Sequence, residues 1–290
     1  MTNTKGIILA GGKGTRLYPL TKVISKQLLP VYDKPMIFYP LTTLIHAGIE
    51  DILIIINPYD EILFKKLLGD GRQWGINISF KIQQNPEGIA QAFLIGKDFI
   101  GSSNVVLILG DNLFHGDTLE QHFIRSKNRK IGSTIFAYPV KNPQRYGVPE
   151  LDKKGNIVSI EEKPKQPKSR YAITGIYFFD NSVVKKASEV LPSKRGELEI
   201  TDLIKMYLNE MKLHLELLGR GITWLDTGNI DSLNAASNYV KIMEQRQGLK
   251  LGCPEEISWR KGLISNENLL DLAKPLIKSG YGNYLIELLK

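Results

Sequence analysis

Cysteine is nearly absent from this chain of 290 residues. Cys253 stands alone, so no internal disulfide can form, and no Cys-x-x-Cys pair exists to hold zinc or an iron–sulfur cluster. Histidine is scarce too: His46, His115, His122 and His214 make no His-x-x-x-His pair, which removes support for a histidine-rich metal site. No apolar run approaches the roughly eighteen residues of a membrane span. The amino-terminal stretch before Gly11-Gly12 is too short for the apolar core of a signal peptide, so the chain is expected in the cytoplasm and off the membrane. Acidic residues are the minority charge, 30 against 38 Lys and Arg, and the net charge of +8 favours anionic partners. The densest basic cluster, Arg125 to Lys130, has no interleaved aromatics. Nucleic acid is therefore not expected as a partner, and phosphorylated small molecules explain the same excess.

What is there reads as an α/β protein. Short β-branched runs at Gly6 to Ala10, Asp51 to Asn57, Ile76 to Gln83, Val105 to Leu109 and Ser133 to Val140 alternate with helical patterns at Met36 to Ala47, Glu61 to Leu68, Ile89 to Phe99 and Leu119 to Lys127. That alternation predicts a parallel sheet covered on both faces. Ile52 to Ile56, apolar at every position, fits a strand buried on both sides. After Val140 the rhythm changes. A hairpin is predicted from Val148 to Leu151 and Ile157 to Glu162, turning through Asp152 to Asn156, and a strand follows from Ala172 to Phe179. A helix near Ile200 to Met211, a strand, glycine turn and strand within His214 to Leu225, and a helix from Ser232 to about Gln245 complete the body. From Leu251 onward the chain reads as short helices, either packed on the body or used at a subunit interface.

The most informative segment is Gly11-Gly12-Lys13-Gly14-Thr15-Arg16-Leu17, directly after the first strand. It sets successive backbone N–H groups and basic side chains at the carboxyl edge of a sheet, where α/β proteins bind ligands. Glycines permit the concave nest of amides that holds phosphate oxygens. Two familiar phosphate loops do not fit, because Ile7 stands where a P-loop needs glycine and Leu17 where a dinucleotide fingerprint does. Asp111, just past the run Val105 to Leu109, and Asp226, closing Ile222 to Leu225, both project from predicted strand ends. Two hard carboxylates suit Mg²⁺, which takes one or two protein carboxylates beside substrate phosphates; each alone would serve as a turn or cap residue. Asp226-Thr227-Gly228 also spells an aspartic-protease triplet, but that chemistry needs two such carboxylates and one copy occurs.

The glycine turn, with Pro19-Leu20-Thr21, Lys26 and Pro30, resembles the signature of the sugar-1-phosphate nucleotidyltransferases. The resemblance continues through Gln83 to Ala92, Leu109-Gly110-Asp111-Asn112, Glu161-Glu162-Lys163-Pro164, Trp224 to Gly228 and Leu251 to Glu256, nearly the whole chain. It implies a Rossmann-like mixed sheet flanked by helices, with a small β-rich sugar-binding part and a short C-terminal helical segment. By the same resemblance residues 1–248 are the catalytic domain, with about 1–140 for the nucleotide and about 141–228 for the sugar, and 249–290 serve oligomerisation or regulation. Lys13, where many members carry a small residue, departs from the pattern, but the nest there uses backbone amides.

The activity implied is Mg²⁺-dependent transfer of the thymidylyl group of dTTP to glucose 1-phosphate, giving dTDP-glucose for deoxysugar synthesis such as dTDP-rhamnose. Arg16, Lys26, Lys163, Asp111 and Asp226 become the catalytic candidates, with both aspartates on the metal. Gly11, Gly14, Thr15, Gln27, Gln83, Gly88, Asn112, Gly147, Glu162 and Ile173 join Arg16, Lys26, Asp111 and Lys163 as substrate-binding candidates. Gln83 and the Gly88 backbone are assigned to the pyrimidine, Glu162 to glucose hydroxyls, and Gly147 to a close backbone approach by the sugar. A homotetramer with a separate regulatory nucleotide site, near Arg220 and the tail, is also implied. Two alternatives stay open: a sibling enzyme that uses UTP or another nucleotide, and a nucleotide-sugar sensor without turnover.

Overall fold

The computed structural model describes residues 4–290; Met1 to Asn3, the start of the stretch read above for targeting, lie outside them. The chain runs β1 (Thr4–Ala10), a small hairpin β2 (Pro30–Val31) and β3 (Lys34–Pro35), α1 (Phe38–His46), β4 (Asp51–Ile56), α2 (Glu61–Leu68), β5 (Asn77–Ile82), α3 (Gln91–Ile95), α4 (Lys97–Ile100), β6 (Asn104–Leu109), β7 (Asn112–His115), α5 (Leu119–Asn128) and β8 (Ser133–Pro139). It continues through β9 (Gly147–Leu151), β10 (Ile157–Glu162), β11 (Tyr171–Phe179), α6 (Val183–Glu189), α7 (Ile200–Asn209), β12 (Leu213–Leu217), β13 (Thr223–Asp226) and α8 (Ile230–Gln247) to α9 (Pro254–Arg260), α10 (Asn266–Ala273) and α11 (Tyr281–Glu287).

Seven strands form the central sheet in the order β12-β8-β11-β6-β1-β4-β5. β1 lies between β4 and β6, parallel to both, and β5 is parallel to β4. β4 shows why the sequence builds this sheet. Ile52, Ile54 and Ile56 enter the core on one face with Phe64, Trp74 and Phe123, while Leu53 and Ile55 enter the other with Phe93, Leu107 and Tyr207. A strand apolar at every position is thus sealed on both sides by helices.

The sheet is mixed rather than wholly parallel. β11 pairs antiparallel with both β6 and β8, separating two strands that run the same way. The cause lies in the connection: between β8 and β11 the chain holds a hairpin, β9 with β10, and no crossover helix, so it returns in the opposite sense. The helix expected from Ile89 to Phe99 is two pieces. At the junction Gly96 lies so near the sheet that a Cβ there would sit 2.9 Å from Ile7 Cδ1. The patterns did not foresee β7, which pairs antiparallel with β13 in a ribbon beyond the end of β6, nor α6.

Past α8, helices α9 to α11 gather around Cys253, Leu269, Ala273 and Leu285. They meet the body through the indole N–H of Trp74, which donates to Glu255 at 3.3 Å, and through an ion cluster that runs from the interior to the surface. There Lys34, 2% exposed, pairs with Asp33 and with Glu244 of α8, and Lys250 pairs with the same two carboxylates. Among the described residues no helix is long and apolar enough to cross a membrane.

Candidate active site

A cavity of about 370 Å³ opens at the carboxyl ends of β1 and β6 and the amino-terminal half of the antiparallel β11, bounded by the hairpin β9–β10 and the loop before α7. Its floor is made where two chain segments cross. β6 ends at Leu109, and Gly110 then Asp111 lead into β7; opposite, Asp226 is the last residue of β13 and faces Asn112 in the ladder. Main-chain pairing therefore brings two carboxylates, 115 positions apart in sequence (226 − 111), to one spot. Thr227 locks the junction, its N–H and hydroxyl both donating to the Asp111 carbonyl, at 3.1 and 2.8 Å.

The two carboxyls differ in state. Burial acts to raise Asp111, but the Lys26 ammonium beside it, with hydrogen bonds from Lys26 and Asn112, outweighs burial and holds it below the usual carboxylate range. Asp226 goes the other way: burial, reinforced by the neighbouring Asp111 charge, lifts it, against a hydrogen bond from the Gly228 N–H at 2.7 Å and the more distant Lys26 and Arg16. The Tyr146 hydroxyl, half-buried and facing Asp226, is itself pushed up to about 12 by burial and the Asp226 charge. Among the described residues no cation lies within ion-pair distance of Asp226, and no group of three or more His, Cys, Asp and Glu is placed to hold a metal ion by itself. Two converging carboxylates, one without a salt bridge, fit a hard divalent cation whose other ligands are water and phosphate. They do not fit a site closed by protein ligands alone.

Around this floor stand the basic groups and the amide nest. Gly14 adopts φ 62°, in the left-handed region, and begins the tight turn Thr15–Leu17; the Thr21 hydroxyl holds it by donating to the Gly14 carbonyl at 2.7 Å. Arg16, exposed on that turn, reaches toward Gly228 beside Asp226, and Gly12 has open space above it. Lys13 and Thr15 point to solvent on the same turn. Lys26 and Gln27 belong to a second short turn, where Gln27, 1% exposed, accepts from the Ser25 hydroxyl at 2.6 Å.

At one end of the cavity lies Gln83, just past β5 and 2% exposed, so close to Gly11 that a Cβ there would collide with Gln83 Oε1. Gly88 is backed by Leu198, in the loop before α7, whose N–H donates to the Glu87 carbonyl at 2.6 Å. At the other end Glu162 faces Gly147 across the β9–β10 hairpin, with Ile173 of β11 beside Gly147. Burial lifts the Glu162 carboxyl despite Lys163, whose ammonium is 3.5 Å away. Lys163 itself takes φ 46°, unusual for a residue with a Cβ, and its N–H donates to the Tyr146 carbonyl at 3.0 Å. Asn112 lines the cavity, and its side chain is held by bonds within the protein. Its Oδ1 accepts from the Trp224 indole at 2.6 Å and the Gly175 N–H at 3.1 Å, while its Nδ2 donates to Asp111 at 3.0 Å, so it ties β7, β11 and β13 together behind the aspartate.

Sequence reasoning did not single out Arg195, Glu199 or Tyr146, which also line the cavity. Arg195 forks onto both oxygens of Glu199 at 2.8 Å and reaches Glu162 at 3.5 Å. In the sequence Arg195-Gly196-Glu197-Leu198-Glu199 is a charged turn like many on a surface, and only the fold of β9–β10 against α7 turns it inward.

These features define an α/β protein whose cavity, at the carboxyl end of its parallel strands, brings two converging carboxylates together with several basic groups. The profile of the nucleotidyl transferase family matches residues 5–242, and the chain belongs to that family. A glucose-1-phosphate thymidylyltransferase of Xanthomonas campestris pv. campestris (strain B100) is 55% identical over 290 residues, covering 100% of this chain and 98% of that one. A protein of the same name from Mycolicibacterium smegmatis is 56% identical over 285 residues, 98% of this chain and 99% of that one. Among solved structures, one described as a glucose-1-phosphate thymidylyltransferase from Bacillus anthracis, in complex with a sucrose, superposes with a TM-score of 0.76 at 41% identity, covering 81% of this chain and 94% of that one. A UDP-glucose pyrophosphorylase complexed with UDP-glucose superposes at 0.73 with 24% identity, covering 84% and 100%, and shares the fold.

Proposed function

We propose that this nucleotidyltransferase makes dTDP-glucose and pyrophosphate from dTTP and glucose 1-phosphate, with Mg²⁺ as its metal. The observation that carries the reading is the convergence of Asp111 and Asp226 in one cavity, with the Gln83 amide at one end and the half-buried Glu162 carboxyl at the other. The names of the full-length relatives support the same substrates.

Asp111 and Asp226 would hold the cation, which when bound supplies charge neutralisation between the reacting phosphates. The remaining work falls to the chain. Glycines 11, 12 and 14 offer backbone N–H groups to the triphosphate, with the Thr15 hydroxyl at the same turn, and Arg16 presents a planar fork to its oxygens. Lys26 neutralises charge at the α-phosphate, and Lys163 and Arg195 do so for the sugar phosphate. Glu162, kept in a partly buried setting, accepts from glucose hydroxyls where Gly147 permits close approach. Ile173 and Gln27 form walls. The sugar phosphate is itself the nucleophile and attacks the α-phosphorus in line, so no serine, cysteine or histidine nucleophile is required; catalysis is positioning plus electrostatics. Gln83 faces the thymine imide, with the Gly88 backbone at the same edge.

By the family resemblance we further infer cytoplasmic work as a homotetramer, with 1–248 catalytic and 249–290 for oligomerisation or allosteric regulation. The test is pyrophosphate release by the purified protein across nucleoside triphosphates and sugar 1-phosphates, with Mg²⁺ or with chelator. dTTP with glucose 1-phosphate should give the highest kcat/KM, and the rate should vanish with chelator. A chelator-insensitive rate, or preference for another pair, overturns the reading.

A further inference from the structure

The geometry points to Gln91 as a positioning residue that fixes which end of the Gln83 amide faces the base, and so selects bases that carry a ring N–H. This rests on the reading of Gln83 as the base-recognition residue. An amide side chain offers a donor at one end and an acceptor at the other, nearly identical in shape, so neighbours alone decide its orientation. Here the neighbours leave one choice. The backbone N–H of Glu87 meets the Gln91 side chain at 3.1 Å, and a backbone N–H can only donate, so the atom it meets is Gln91 Oε1. Gln91 Nε2 then faces the Glu87 carboxylate at 2.9 Å, an acceptor with no donor of its own when ionised.

The same Gln91 Oε1 lies 2.5 Å from Gln83, so the Gln83 atom turned toward it is Nε2. Gln83 Oε1 is left on the opposite side, packed against Gly11 at the cavity wall. The Gln83 side chain, 2% exposed, cannot reverse its amide without losing this bond and setting its Oε1 against the Gln91 Oε1. A fixed acceptor at that wall suits the imide N–H of thymine or uracil. Cytosine and adenine bring a lone pair at the corresponding ring nitrogen, and two facing acceptors leave both unpaired in a dry site. Gln91 is outside the cavity lining and acts only through Gln83. Its place follows from the chain: it is the first residue of α3, four positions after Glu87, so the loop and the helix start bring amide and carboxylate together.

The experiment measures kcat/KM for dTTP and dCTP at saturating glucose 1-phosphate in Gln91→Met, in the exchange Gln91→Glu with Glu87→Gln, and in Gln83→Ala. Methionine keeps the length of glutamine without its polar ends. In Gln91→Met the KM for dTTP should rise several-fold with kcat within about twofold, and the preference for dTTP over dCTP should fall about tenfold or more. The exchanged pair keeps an acceptor toward Gln83 and the Glu87 N–H and returns a donor from position 87, so it should recover the wild-type preference. A residue that merely supported the fold would move kcat and both KM values together, and the exchange would not restore selectivity. Wild-type preference in Gln91→Met, or failure of the exchange to exceed Gln91→Met, overturns the inference. If in either case Gln83→Ala still weakens dTTP, the base-site reading stands; an unchanged KM for dTTP in Gln83→Ala removes that reading and this inference together.

Discussion

Two lysine–carboxylate clusters lie inside this protein, and they are built differently. Beneath the carboxy-terminal helices, Lys34 and Lys250 share Asp33 and Glu244, two cations for two anions, and every charge has a partner in contact. At the cavity, Lys26 pairs with Asp111 alone, and Asp226 is left buried beside a like charge with Gly228 and Tyr146 for company. The first arrangement is complete without any ligand and joins β2–β3, α8 and the tail. The second carries an excess negative charge, which in the proposed reading a bound cation would balance. Both are built from lysines and carboxylates, so what distinguishes the two clusters is whether their charges balance within the chain.

The largest effect that sharpens this contrast is on stability at the balanced cluster. Lys34→Met leaves Glu244 with Lys250 as its remaining cation in a buried setting, and should cost about 3 kcal/mol of folding free energy, a fall in melting temperature of roughly 5–10 °C. Differential scanning calorimetry measures the loss, and activity below the transition should stay near wild type. Next comes Asp226→Asn, which removes the unpaired charge. Turnover should drop about a hundredfold or more, close to 3 kcal/mol of barrier, while the melting temperature stays level or rises because a like-charge contact is relieved. An unchanged rate, or a strongly destabilised protein, would erase the distinction between the clusters.

The smallest effect is on pH dependence. Burial acts to raise Asp33, but Lys34 and Lys250 outweigh it and leave the carboxyl below its ordinary value. A lowered folded-state value stabilises the fold above the unfolded value and is lost as pH falls through the folded one, so this contribution fades below about pH 4. Glu216, where burial is outweighed by His122, Arg125 and Arg129, loses its contribution in the same direction. Thermal melts from pH 7 to 3 should show the wild type losing stability in that acidic range, and Asp33→Asn should flatten part of the slope. A slope that Asp33→Asn leaves unaltered contradicts the balanced-pair account.

Much of this was legible in the residues themselves. The unbroken apolar run Ile52 to Ile56 announced a doubly covered strand, and the glycine turn after β1 marked the ligand edge. Asp111 and Asp226 were readable as strand-end carboxylates because each follows an apolar run. Their meeting was not, since it depends on the short ladder of β7 with β13, and Asn112 to His115 has no period of its own long enough to declare a strand. The reversal of β11 was hidden for a similar reason: strand direction is set by what connects the strands, and a local pattern carries no sign of direction. Arg195 and Glu199 stayed invisible because a charged turn reads the same whether it faces water or a cavity.

The most direct measurement of the central claim is the anomalous scattering of Mn²⁺ in crystals soaked with dTTP, for the wild type and for Asp226→Asn. The account predicts one peak bridging the carboxylates of Asp111 and Asp226 and a phosphate oxygen, lost or greatly weakened in the variant. Nucleotide phosphates bound in the cavity with no peak between those two aspartates would contradict it.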